Sequence, residues 1–196
     1  MVRLYQTLVS LLSLSALAAA GPIRYPRADN STKIRTSEMH YIYPNAPTLS
    51  KPTTTALYVE AYSGKSQVEQ VAVFRGIPSN AKSCTVGWSQ ADKNDRVFIV
   101  KGDSGHTTMR PLTGFPTGEV TYESVTPFDK DNEDQQFGPD FTFWDDASYA
   151  ATEHVGGGVK CTSEVYIKVL LRDPTVQASV FLEQDSKNGL WLSYTT

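Results

Sequence analysis

Cysteine is nearly missing from this chain of 196 residues: there are two, Cys84 and Cys161, and neither belongs to a Cys-x-x-Cys pair. Such isolated thiols make a poor zinc site. Histidine is also scarce, with three residues. His40 lies in a polar stretch without the partners that metal binding needs. There is no excess of positive charge: the formal net charge is −3 with both signs mixed, and neither an arginine-rich face nor an aromatic RNA-binding motif is present. This argues against nucleic acid as a partner. No run beyond the first twenty residues is long and apolar enough to span a bilayer, and none shows helical periodicity. Gly156-Gly157-Gly158 is not followed by Lys-Ser/Thr, so it is no phosphate loop and reads as a flexible connector before Cys161.

What is present begins with a leader. Met1–Ala20 has a basic residue at Arg3, an apolar core from Leu4 to Leu17, and small residues up to Ala20. That is the pattern of a secretory signal, which predicts a secreted protein, extracellular or in a cell wall. In an oxidising compartment the two cysteines predict one disulfide, Cys84 to Cys161. Residues 21–52 are polar and dotted with proline and read as a flexible lead-in. Asn30-Ser31-Thr32 in this segment is a glycosylation sequon. Met39 to Tyr43 is a candidate first edge strand. The domain is expected to span 53–196, enough chain for one core.

The stretch Glu69 to Ala91 organises the rest. Val71-Ala72-Val73-Phe74 meets the breaker Gly76-Ile77-Pro78-Ser79-Asn80, and Cys84-Thr85-Val86-Gly87-Trp88 follows. Both runs are rich in β-branched and aromatic residues, so they read as a central hairpin. Further strands are expected at Ala56–Tyr62, Arg96–Val100, Glu119–Glu123, Phe141–Trp144 and Glu164–Leu171. Ala178–Leu182 and Leu190–Tyr194, joined at Asn188-Gly189, read as a C-terminal hairpin. Nine or ten short strands with Gly/Pro turns predict an all-β fold, a β-sandwich of jelly-roll type with one disulfide.

Val73-Phe74-Arg75-Gly76-Ile77-Pro78, Lys82-Ser83-Cys84-Thr85-Val86-Gly87-Trp88 and the strand around Gly189-Leu190-Trp191-Leu192 resemble a family of small secreted fungal proteins. That family takes its name from the C-terminal domain of a ubiquitin-3-binding protein. The resemblance runs from about Thr53 to the C-terminus, apart from Thr107–Gly158, and supplies no catalytic residues.

Three constellations bear on chemistry. Gly102-Asp103-Ser104-Gly105-His106 resembles the nucleophile loop of serine hydrolases, but the upstream or late partners a triad needs are missing, and it is good turn chemistry. Asp129, Asp131, Glu133 and Asp140 form an acidic loop that faintly echoes a calcium site, with calcium as the only candidate cofactor. Phe143, Trp144 and Tyr149, with Gln135 nearby, combine flat rings and amides, as sugar binding requires. Glu60, Glu119, Glu123, Asp145 and Glu164 are available for a glycosidase pair, without a way to pair them from sequence. The expectation is therefore a non-catalytic protein that binds a polysaccharide, or a protein of a host or wall surface. A polysaccharide hydrolase and a structural wall protein are the competing classes.

Overall fold

The computed structural model describes residues 31–63, 66–130 and 136–196. The leader at 1–20, the sequon residue Asn30, and the candidate ligands Asp131, Glu133 and Gln135 lie outside the described residues. Among the described residues there are eleven strands: β1 (Thr32–Arg35), β2 (Glu38–Ile42), β3 (Leu57–Tyr62), β4 (Ser66–Arg75), β5 (Lys82–Gln90), β6 (Phe98–Gly102), β7 (Thr107–Pro111), β8 (Thr152–Gly158), β9 (Glu164–Leu171), β10 (Gln177–Leu182) and β11 (Gly189–Thr195). They form a β-sandwich of two antiparallel sheets. The smaller has the order β1-β11-β5-β8, and the larger β6-β10-β3-β4-β9-β7, with β2 beside β4. β1 and β11 are neighbours, and six of the ten connections between successive strands cross from one sheet to the other, in the manner of a jelly roll.

The main core follows from period-two burial. In β3, Leu57, Val59 and Ala61 are buried and alternate with half-buried Tyr58, Glu60 and Tyr62. They face Val86, Trp88, Leu190 and Leu192 of the small sheet across the same interior. The large sheet cannot be flat. Its edge strands β6 and β7 are joined only by residues 103–106. A four-residue link reaches at most roughly 18 Å, whereas five flat strand spacings need about 24 Å. The sheet therefore curls until its edges approach.

Neither expected hairpin forms. β4 pairs with β2, β3 and β9, whereas β5 pairs with β8 and β11. Likewise β10 pairs with β3 and β6, and β11 with β1 and β5. Both connections, 76–81 and 183–188, are arches from one sheet to the other. The runs they join are apolar because they line one core from opposite sides, and six residues suffice to cross the ~10 Å between packed sheets. Asn188 closes the second arch with a buried side chain, which accepts from the Ala91 amide at 2.7 Å and donates to the Asp95 carbonyl at 2.8 Å.

From Thr32 onward the expected lead-in is part of the domain. The sheets begin at Thr32: β1 pairs with β11, and β2 pairs with β4 with Met39 and Ile42 fully buried. Of the prolines that suggested a linker, Pro44, Pro47 and Pro52 fall in the connection from β2 to β3, and Pro22 and Pro26 lie outside the described residues. The expected strand at Glu119–Glu123 is instead a helical turn, α1 (Tyr122–Val125). Thr121 Oγ1 accepts from the Ser124 amide at 3.1 Å, and Ser124 Oγ accepts from the Thr121 amide at 2.9 Å. This reciprocal cap favours a helix start. Val120 and Val125 lie over Ile42 and Val71 with Leu112, Phe115 and Tyr166, a second core on the outer face of the large sheet. The triple glycine is strand β8 rather than a connector. A Cβ on Gly157 would stand 2.6 Å from the Phe137 ring, so glycine there lets Phe137 pack against the strand.

The disulfide joins Cys84, at the start of β5, to Cys161, in the link from β8 to β9, with a Cα–Cα distance of 5.3 Å.

Candidate functional site

The aromatic segment expected as a strand at 141–144 is a run of turns. Its acids bond the backbone two residues on. Asp140 Oδ1 accepts from the Thr142 amide at 2.9 Å, and Asp146 Oδ1 from the Ser148 amide at 2.7 Å. Such turns compete with strand pairing. Asp145 reaches across to β6, where it accepts from the Val100 amide at 2.9 Å and caps the edge of the large sheet. Arg96 donates to the carbonyls of Tyr149 and Asp146 at 3.1 and 2.8 Å. The loop is thus held at both ends.

Its aromatics divide by depth. Phe141 is fully buried. Trp144 is half-buried and meets the His154 ring edge-on at 4.2 Å and the Tyr149 ring at 4.5 Å. His154 in turn stacks on Trp88 at 4.0 Å. Tyr149 is 40 % exposed and Phe143 is 73 % exposed. Phe143 also has φ +66°, a left-handed conformation that is unusual for a bulky residue. Of the sequence-predicted binding residues, the structure joins Trp144 to Tyr149 and holds Phe143 in the same loop.

His154 was not singled out as part of this cluster, although its pairing opposite Trp88 in β8 and β5 puts it there. Its Nε2 is buried without a hydrogen-bond partner, and burial lowers its pKa below the usual value. The folded value lies below the unfolded one, so this contribution to stability is whole above the unfolded pKa of about 6.5 and is lost as pH falls toward the folded value. The melting temperature is therefore expected to drop between pH 7.5 and 5. His154→Phe, which keeps an aromatic ring in the stack, should flatten that drop. Parallel pH profiles for the two proteins would show that His154 is not its source.

Of the acidic loop, the described candidates Asp129 and Asp140 face basic side chains of the chain. Asp129 Oδ2 lies 3.0 Å from Lys168 Nζ and 3.4 Å from Arg110. Asp140 Oδ2 lies 2.9 Å from His106 Nε2. Among the described residues no group of three His, Cys, Asp or Glu could hold a metal ion. Lys168 is the hub of a cluster that the sequence does not reveal. Its ammonium sits between Asp129 and Glu69, the latter at 2.9 Å, and 4.8 Å from the Tyr122 ring. Burial works against the ammonium, but Glu69 and Asp129 more than offset it, and its pKa is raised. Burial raises the Glu69 carboxyl in spite of Lys168.

The serine loop places Ser104 Oγ as acceptor for the His106 amide at 3.1 Å, while the His106 ring turns to Asp140. The hydroxyl serves the turn, and no bond from it to the imidazole occurs among the described contacts. Of the five glycosidase candidates, Asp145, Glu164 and Glu60 are engaged as well. Glu164 accepts from Tyr166 and pairs with Arg75, and these hold it below the usual carboxylate range. Glu60 accepts from Tyr58 and Ser66. An open cleft of about 950 Å³ lies beside the disulfide, lined by Lys82, Ser83, Leu112, Lys160, Thr162 and Tyr166 among others. Its walls come from distant segments.

No family model, curated protein or solved structure matches the chain.

Proposed function

We propose that this is a secreted, non-catalytic sandwich protein of the resembled fungal type, and that it binds polysaccharide at a cell wall or host surface through the 141–150 loop. The observation that carries this reading is Phe143. A large apolar ring points to water from a left-handed backbone, in a loop held by Arg96, Asp145 and Trp144. Exposure and backbone conformation both cost stability, and such costs concentrate at sites of function. With Tyr149 beside Trp144, the loop offers ring faces for packing on pyranoses, and the exposed Asp146 carboxylate for hydroxyls. The engagement of Glu60, Asp145 and Glu164 in hydrogen bonds and ion pairs supports binding over hydrolysis.

The test is retention on insoluble chitin, β-glucan, cellulose and xylan, with sugar release assayed in the same tubes. Retention without release is expected on at least one. Phe143→Ala should weaken it about tenfold or more, the loss of roughly 1.5 kcal/mol of ring burial. Sugar release would replace this reading with the hydrolase. Equal retention of the variant would remove the loop from the site.

A further inference from the structure

The outer face of the small sheet carries a tryptophan that belongs to neither core. Trp191 of β11 is 3 % exposed, yet it lies outside both core clusters. It packs on Gly87 of β5, where a Cβ would stand 2.3 Å from the ring. Lys33 of β1 stands over the indole with its Nζ 4.8 Å from the ring centroid. The same ammonium is ion-paired with Glu153 of β8, and the two side chains are 40 % and 55 % exposed. Arg35, opposite Trp191 in the register, is turned to Ser89 and to the carbonyls of Gly189 and Ser186. The Trp191 Nε1–H is buried without a hydrogen-bond partner.

Two of these facts conflict with a purely structural tryptophan. A buried indole N–H ordinarily finds an acceptor. Its cover is an exposed ion pair on a flexible stem, which holds weakly. The indole and carboxylate together already bind one ammonium, by cation–π attraction and by charge. A ligand that replaced Lys33 would need an ammonium for Glu153, a flat face for the indole, and an oxygen to accept from Nε1. A 2-amino-2-deoxypyranose has all three.

We propose that Lys33 is an internal stand-in for a cationic ligand, and that Trp191 and Glu153 form a site for amino-sugar units, such as those of deacetylated chitin, that opens when Lys33 swings away. The site uses β1, β5, β8 and β11 and none of the 141–150 loop, so it stands whether or not that loop binds neutral polysaccharide. Lys33 competes with the ligand, so the affinity of the intact protein is reduced by the fraction of time the site is closed.

The test is calorimetric titration of the protein with glucosamine tetramer, and with N-acetylglucosamine tetramer and cellotetraose as probes lacking the ammonium. The amine tetramer should bind in preference to both. Lys33→Met should tighten that binding about fivefold by removing the competitor. Glu153→Gln should weaken it about tenfold, the scale of a lost ammonium–carboxylate contact. Glu153 is exposed, so the result does not depend on a variant that fails to fold. The Glu153→Gln loss should appear in full when the titrations are repeated in Phe143→Ala, which removes the loop's own contribution. No amine binding by either the parent or Lys33→Met, equal binding of the acetylated tetramer by Phe143→Ala, or a silent Glu153→Gln would each overturn the site. Loss through Phe143→Ala with Glu153→Gln silent would move amine binding to the loop and overturn this inference alone.

Discussion

Lys168→Ala is expected to lower the free energy of unfolding by about 3–5 kcal/mol, the scale of removing one partner from a buried ionic cluster. Lys168 is 4 % exposed on β9, and the variant would leave Glu69 and Asp129 facing each other's charge without the ammonium between them. Arg110 would remain near Asp129 at 3.4 Å, which offsets part of the loss. The same cluster fastens the 112–129 segment over the outer face of the large sheet, because Asp129 lies at the end of that segment and Tyr122 of α1 meets the ammonium. The variant should therefore also loosen the second core around Val71, Val120 and Val125. Urea unfolding with native-state hydrogen exchange would check both effects. Lys168→Met combined with Glu69→Gln should recover much of the loss, since the pair is then neutral at similar volume and Asp129 keeps Arg110 as its partner. A loss under about 1 kcal/mol for Lys168→Ala would mean that the cluster is solvated and bears little on stability.

Replacing both Cys84 and Cys161 with alanine is expected to cost about 4–5 kcal/mol in the chain-entropy account, given their separation of 77 residues. For a domain of this size that corresponds to a fall in melting temperature of roughly 10–15 °C. The bond ties β5 of the small sheet to the link that carries the chain from β8 into β9 of the large one. Its loss frees the wall of the neighbouring cleft, which both cysteines line. Scanning calorimetry of the double variant, beside the parent under reducing and non-reducing conditions, would measure this. A midpoint unchanged by both treatments would show that the interlocked sheets alone determine stability.

Much of the fold was legible because it rests on local pattern. Alternation at Leu57, Val59 and Ala61, and continuous apolar runs at Val71–Phe74 and Leu190–Leu192, are strand signals that do not depend on partners. The two cysteines had only each other. Partner choice was not legible. A strand-turn-strand sequence looks the same whether it folds back in one sheet or crosses to the other, so both arches were read as hairpins. The Thr121–Ser124 cap has serine where the usual box has Glu or Gln, so its helix signal is weaker than the strand-like alternation of Glu119–Glu123. At Phe141–Trp144, aromatic content outweighed the flanking aspartates that make the turns.

The sequence by itself determined a β-sandwich, its cystine and a local concentration of aromatic rings, because strand propensity, disulfide count and ring content are properties of short stretches. Tertiary structure alone decided which aromatics face water: Phe141 and Phe143, two residues apart, end fully buried and 73 % exposed because the turn at Asp140 breaks the alternation. It also decided that Lys168 would be enclosed by Glu69 and Asp129, and that Lys33 would lie over Trp191. Those contacts join residues far apart in the chain, and charge–charge and cation–ring attractions act only once the sheets have curled and brought them together.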